Sequence, residues 1–353
     1  MDTGKQHTYE ILSKYRNVLM GLQIILIIFF HFTEDCKIYD VRFSGIIYWF
    51  YKYIRSSGVD MFLLLSGLGL YFSWKKRPEV RTFYKKRYSR ILIPYFIVAI
   101  PSWIWLDIFQ LDKGWGAFIQ DLFFISFFFE QTRWFWYILM IGICYWIFPH
   151  IFNIVDTASD KISESMRVLL LCTLSTVFLI MLQLYHNELY GNISIAISRI
   201  PPFIIGVLLG KIVYEKRGLY RKQVVFLCVL SVVLVWPLQI AGKSMLGVYA
   251  NAFLNYALSL GFVYAMACMS KAKKIWKIKI YESITSVLGW FGKYTLELYL
   301  VHVMVRKVMN SLGFYTYRLS YETIMVIVSI VLAVLLNKIT VCIQKQTSNY
   351  HIP

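Results

Sequence analysis

The chain has 353 residues, of which 58% are hydrophobic, 18% aromatic and only 16% charged, with a formal net charge of +18. A soluble domain averages about 45–50% apolar and about 25% charged, so the composition excludes a soluble domain with one anchor and points to a polytopic membrane protein. The positive charge is not a nucleic-acid signature, because the basic residues collect in loops between apolar runs, the positive-inside pattern.

About 20 apolar residues cross a bilayer. Ten spans are predicted, at roughly 17–34, 57–74, 91–109, 134–152, 167–185, 193–214, 223–240, 250–270, 284–306 and 321–343. The first reads VLMGLQIILIIFFHF, from Val18 to Phe32. It lacks a small-residue cleavage pattern and ends in Phe-His-Phe, so it reads as a span rather than a signal peptide. His31 stands near its end. A titratable group at that depth usually faces a protein interior, and histidine is readily tuned as a base near neutral pH. The alternative is an imidazole snorkelling to the interface, with Phe32 to Asp35 starting a loop.

Stretches 43–54 and 115–129 are apolar but interrupted, and are expected to lie at the interface or re-enter the bilayer. Their aromatics (Tyr48, Trp49, Phe50, Tyr51; Phe127, Phe128, Phe129) suit an interfacial belt. Span two opens with GVDMFLLLSG, where Asp60 is either a helix-start carboxylate or the group that orients a histidine base. Ser66, Gly67 and Gly69 form a small-residue patch that favours close helix packing. RTFYKKRYSRILIPYF leads into span three. Arg87 and Arg90, three apart, share a helix face and offer two guanidinium forks for phosphate or for lipid headgroups. No glycine-rich phosphate loop is present, which argues against an ATP site.

Further on, TRWFWYILMIGICYWIFP places Glu130 and Arg133 just before span four. RIPPFIIGVLLGK sets Arg199 before a double proline, which predicts a broken helix lining a cavity. In GKYTLELYLVH, Glu297 and His302 are five apart, about 140° on a helix, and are no dyad. Lys293 and Glu297, four apart, are a possible pair; His302 is structural or catalytic. The six cysteines (Cys36, Cys144, Cys172, Cys228, Cys268, Cys342) contain no CxxC pair and suggest neither a disulfide framework nor a metal site.

The strongly basic loops follow spans two, six and eight, which puts them, and both termini, in the cytoplasm. Arg16 then lies at the cytoplasmic end of span one. His31 lies about 22 Å further along the helix, in an outer layer with Asp60, Glu130, Arg133, Arg199 and His302.

Taken in order, LMGLQIILIIFFHF, GVDMFLLLSG, KKRYSRILIPY, WFWYI…FP, RIPPFIIGVLLG and GKYTLELYLVH resemble the bacterial acyltransferase family 3 membrane proteins over nearly the whole chain. The resemblance implies an all-α polytopic bundle of about ten transmembrane helices in the bacterial cytoplasmic (inner) membrane. It implies one acyltransferase-3-like domain over 1–353 with no appended soluble domain. Members move acyl groups, usually acetyl, from cytoplasmic acetyl-CoA to hydroxyls of cell-surface glycans and related acceptors, with acyl-CoA a co-substrate and no permanently bound cofactor. His31 matches the essential histidine, and Arg87 and Arg90 match a paired-arginine motif proposed to engage the donor. Met20 stands where many members carry an arginine; Arg16, one turn earlier on nearly the same face, either takes that role or leaves it absent.

The expected mechanism has His31 as general base, oriented by Asp60. Arg133 or Arg199 stabilises the oxyanion or positions the acceptor, with His302 in the same outer layer and Glu297, deeper in the span, as further candidates for that role. An acyl-histidine relay is the alternative route. A transporter or substrate-entry module is the competing function, although no transporter-like repeat is visible. The other large family of membrane O-acyltransferases offers only His302 as its deep histidine, and the ordered segments fit it less well.

Overall fold

Inside a bilayer every backbone N–H and C=O must find a partner within the protein, which leaves helices as the simplest solution for a chain of apolar runs. The structure, a computed structural model, describes residues 5, 6, 8–41, 59–158, 160–217, 219, 220, 229, 233, 249–270 and 275–349. The expected 43–54 stretch with its aromatics lies outside the described residues, as does nearly all of span seven.

The described chain is an all-α polytopic membrane bundle. Its helices are α1 (Thr8–Lys14), α2 (Arg16–Ile38), α3 (Val59–Lys76), α4 (Val80–Trp103), α5 (Gly114–Leu122), α6 (Ile125–Phe129), α7 (Trp136–Asp156), α8 (Lys161–Tyr185), α9 (Asn187–Ile197), α10 (Ile200–Tyr214), α11 (Ala250–Ser270), α12 (Ile275–Lys293), α13 (Thr295–Ser311) and α14 (Leu319–Asn349). Lys5–Gln6 and Leu219–Tyr220 add a two-residue antiparallel pairing. Among the described residues six helical segments are long and apolar enough to cross a membrane: Arg16–Ile38, Val80–Gln110, Trp136–Asp156, Lys161–Tyr185, Asn187–Tyr214 and Leu319–Gln346.

Three local features differ from uninterrupted spans. α4 contains Pro94 and Pro101 and continues as a π-helical stretch, Ile104–Gln110, the wider coil that commonly relieves strain in a helix. The 115–129 region forms two short helices joined at Phe124, which adopts φ 62°. The predicted ninth span, 284–306, is two helices separated at Tyr294, whose backbone (φ −107°, ψ 18°) leaves the α region. There the Thr295 hydroxyl donates back to the carbonyls of Gly292 (2.9 Å) and Phe291 (3.2 Å), a competitor for helical bonding that bends or ends helices. The break expected before the double proline is present: α9 stops at Ile197 and α10 starts at Ile200, with Pro201 and Pro202 in a first turn that needs no donor.

Two glycine seams set the bundle. A Cβ at Gly21 of α2 would collide with the Leu288 carbonyl of α12, and one at Gly292 with the Asn17 carbonyl. The same holds for Gly67 of α3 against Phe203, and for Gly206 of α10 against Leu64. Backbones approach this closely only where side chains are absent. Around α3 the aromatic core gathers Phe62, Tyr71, Phe148 and Phe203. At the Lys75 end of α3, buried Lys211 meets Glu164 (2.7 Å) and the Val155 and Asp156 carbonyls, while Lys75 and Tyr71 both reach Asp156. Those bonds tie α3, α7, α8 and α10 at one level. α8 turns Leu169, Leu170, Leu174 and Phe178 outward, an exposed apolar face suited to lipid.

Candidate active site

His31 and Asp35 lie four apart on α2, and His302 and Arg306 four apart on α13, so each pair shares one helix face. The two faces meet. The His31 and His302 rings are 5.2 Å apart between centroids. Arg306 Nη1 lies 2.9 Å from His31 Nδ1, and Glu34 Oε2 lies 3.3 Å from that same nitrogen. Arg306 also grips Asp35 with two parallel bonds, Nε to Oδ2 at 2.7 Å and Nη2 to Oδ1 at 2.5 Å, and reaches Glu34 at 2.9 Å. Thr316 and Asn310 complete the Asp35 carboxylate. His31 keeps 20% of its side chain exposed, so the ring is held yet reachable.

His302 is fully buried, and its Nδ1 lies 2.7 Å from the Leu298 carbonyl. A carbonyl only accepts, so Nδ1 carries the proton and Nε2 offers its lone pair; that nitrogen has no hydrogen-bond partner.

A second polar cluster lies deeper in the bundle. Arg16, Arg87 and Arg90 all lie within electrostatic reach of the Tyr145 hydroxyl. Arg90 donates to fully buried Glu297 (2.5 Å), which also accepts from Asn337 (2.9 Å). Arg16 donates to the Leu65 carbonyl at 3.2 Å and packs on Gly69. Arg87 lies over the Phe83 ring, and its buried Nε has no hydrogen-bond partner. Between the two clusters Tyr137 and Tyr299 pack edge to face, and Tyr299 also meets the His302 ring. α13 spans both levels, with Glu297 in the arginine cluster and His302 and Arg306 in the histidine cluster.

The structure thus brings together Arg16, Arg87 and Arg90, and separately His31 and His302. It assigns other partners to several expected site residues. Asp60 pairs with Arg199 (3.2 Å), and the carboxylate beside His31 is Glu34 instead. The Gly67–Gly206 seam explains this, because it sets the start of α3 against the start of α10. Glu297 joins the Arg90 group rather than an acceptor layer, and Arg90, not Lys293, is its cation. Arg133 donates to the Gly191 carbonyl (2.5 Å), tying the loop before α7 to α9. Phe32 to Asp35 is helical, not the start of a loop.

An apolar helical bundle with six segments long enough to cross a bilayer is an integral membrane protein, and this one holds a histidine between a carboxylate and a guanidinium. A family model described as an acyltransferase domain, of acyltransferase family 3, matches residues 15–338. The chain belongs to that family and is a membrane acyltransferase. No curated protein and no solved structure matches it.

Proposed function

We propose that the protein moves an acyl group, acetyl by family habit, from cytoplasmic acyl-CoA to a hydroxyl acceptor on the far side of the bacterial cytoplasmic membrane, with His31 as general base. The termini and the arginine cluster face the cytoplasm in this reading. The observation that carries it is the double engagement of His31 Nδ1. An arginine N–H donates to Nδ1 only when that nitrogen is bare, which leaves the proton on Nε2. Glu34 accepts from Nδ1–H, which leaves Nε2 bare and able to take a proton. One nitrogen therefore has a partner for each tautomer.

In the productive tautomer, with Nδ1–H donated to Glu34 and the Arg306 contact to that nitrogen released, Nε2 removes the acceptor's hydroxyl proton while the oxygen attacks the thioester carbonyl. The C–O bond forms, the C–S bond breaks, and CoA leaves as a thiolate that a proton neutralises. Glu34 and Asp35 offset the imidazolium charge that builds up. Arg87, with Arg16 beside it, supplies the phosphate contact for the donor, and the pantetheine arm follows the Tyr145–Tyr137–Tyr299 file toward His31. Arg90, held by Glu297, positions that surface.

The test is acyl-CoA turnover by purified protein in liposomes, wild type beside His31→Ala, with a glycan mixture supplied and mass spectrometry for the added acyl mass. Histidine-dependent CoA release with a mass gain is expected. Wild-type turnover by a folded, inserted His31→Ala protein rejects the reading.

A further inference from the structure

α4 and α7 run antiparallel, and two phenols pin them together. Tyr84 donates to the Trp146 carbonyl (2.9 Å) and Tyr88 to the Gly142 carbonyl (3.0 Å). Gly142 has no side chain to fill the space beside the second bond, and a groove of about 300 Å³ opens there. Its walls include Tyr88 and Leu92 of α4 and Leu139, Ile143 and Trp146 of α7. Trp146 is 64% exposed. Both helices belong to segments that cross the membrane, so the groove opens sideways onto hydrocarbon.

The same two helix faces continue into a cationic end. Arg81, Lys85, Tyr88 and Leu92 fall at i, i+4, i+7 and i+11 on α4. Leu139, Ile143, Trp146 and His150 repeat that spacing on α7, so each set shares one face. The tyrosine bonds fix the register. With Tyr84 level with Trp146, Arg81 comes one turn lower, level with His150. Arg81, Lys85 and His150 are exposed, and none has a carboxylate partner among the described residues. Trp146 stands between the cations and the apolar slot, an interfacial place for tryptophan. From Trp146 to Leu139 the groove is about 10 Å long, within the roughly 15 Å of hydrocarbon in one leaflet. Cations below an apolar slot of that length match a negatively charged headgroup with one chain above it.

We propose that the α4–α7 groove binds one anionic glycerophospholipid, with an acyl chain along Leu92, Gly142 and Leu139 and the phosphate on Arg81 and Lys85. Arg87 and Arg90 reach Tyr145 and Glu297 instead, so the site is separate from the arginine cluster and independent of the acyl-transfer reading. The full chain, delipidated in detergent, would be titrated with palmitoyl-oleoyl phosphatidylglycerol and with phosphatidylcholine of the same chains, and bound lipid counted by native mass spectrometry. The first phosphatidylglycerol is expected to bind about thirtyfold tighter, about 1 kcal/mol for each of the two cations. Arg81→Gln/Lys85→Gln should abolish that preference. Lys161→Gln/Lys345→Gln, which removes two exposed charges on other helices, should keep it. Gly142→Leu fills the groove and should weaken both lipids about tenfold. Thermal unfolding of each variant checks the fold, and the charge variants decide the case if Gly142→Leu does not fold. The proposal is overturned by equal affinities in wild type, by a preference that survives Arg81→Gln/Lys85→Gln, by an equal loss in Lys161→Gln/Lys345→Gln, or by unchanged binding to folded Gly142→Leu.

Discussion

Arg306 and Asp35 form a two-point guanidinium–carboxylate pair between α13 and α2, and the same guanidinium extends a third nitrogen to His31. This geometry needs arginine's planar fork; a lysine ammonium makes one contact where arginine makes several. Arg306→Lys is therefore expected to keep the protein folded but to lose most acyl transfer. Near-wild-type kcat in the lysine variant would separate Arg306 from the chemistry.

Asp35 is almost wholly buried. Asp35→Ala strands the Arg306 charge, and removing one partner of a buried pair costs about 3–5 kcal/mol. Unfolding in detergent should show that loss, and the Asp35→Ala/Arg306→Leu double variant should recover part of it. Additive losses in the double variant would contradict the pairing.

Glu34 is the only acceptor that faces His31 Nδ1 at hydrogen-bond distance among the described residues. Glu34→Gln still permits a hydrogen bond but offsets no imidazolium charge. On the proposed mechanism kcat falls about 10²-fold, at the lower end of a general base's contribution, with the KM for acyl-CoA unchanged. An unaltered kcat would remove Glu34 from the mechanism.

Arg87 differs from its neighbour three residues on, because Arg90 is committed to Glu297. A hydrogen bond to a charged group contributes about 1.5–3 kcal/mol, so Arg87→Ala is expected to raise the KM for acyl-CoA by at least about tenfold and to leave kcat near wild type at saturating donor. An unchanged KM would place the donor phosphates elsewhere.

The glycine seams give a prediction independent of function. Gly206→Val forces a side chain into the Leu64 backbone, and overpacking of this kind costs about 1–3 kcal/mol or more. At Gly142 an added Cβ would meet only the Tyr88 and Ile91 side chains at 3.8 and 3.9 Å. Gly142→Ala should fall within about 0.5 kcal/mol of wild type. Thermal unfolding of the two variants side by side decides the point.

The membrane-bundle character was legible because apolar run length and loop charge report directly on the bilayer. The α9–α10 break was legible because two prolines mark it. The break at Tyr294 was not, since no proline marks it and Gly292, two residues earlier, reads equally well as a packing glycine within one continuous span. Asp60–Arg199 and Arg90–Glu297 join residues far apart in the chain, and local spacing carries no information about such pairs. Arg306 was within reach of the sequence: it lies one turn beyond His302 in an apolar helix, where a cation rarely stands without a partner. Glu34 and Asp35 were not legible as partners of His31, because they sit at the edge of the predicted first span and the guanidinium that gathers them, Arg306, lies on a distant helix.

α2 carries Arg16 at one end and His31 toward the other, and different helices hold its two halves. α12 clasps it near Gly21, and α13 clasps it at His31 and Asp35. The rod between those clamps works as a ruler. One residue inserted between Gly21 and His31 would turn everything beyond it by about 100° and lengthen it by about 1.5 Å, swinging His31 and Asp35 away from Arg306 while Arg16 stays in place. Four inserted residues would restore the facing to within about 40° yet push the imidazole about 6 Å outward. The span from arginine to imidazole is thus written in the chain as a number of residues, and a change in that number alters reach and direction together.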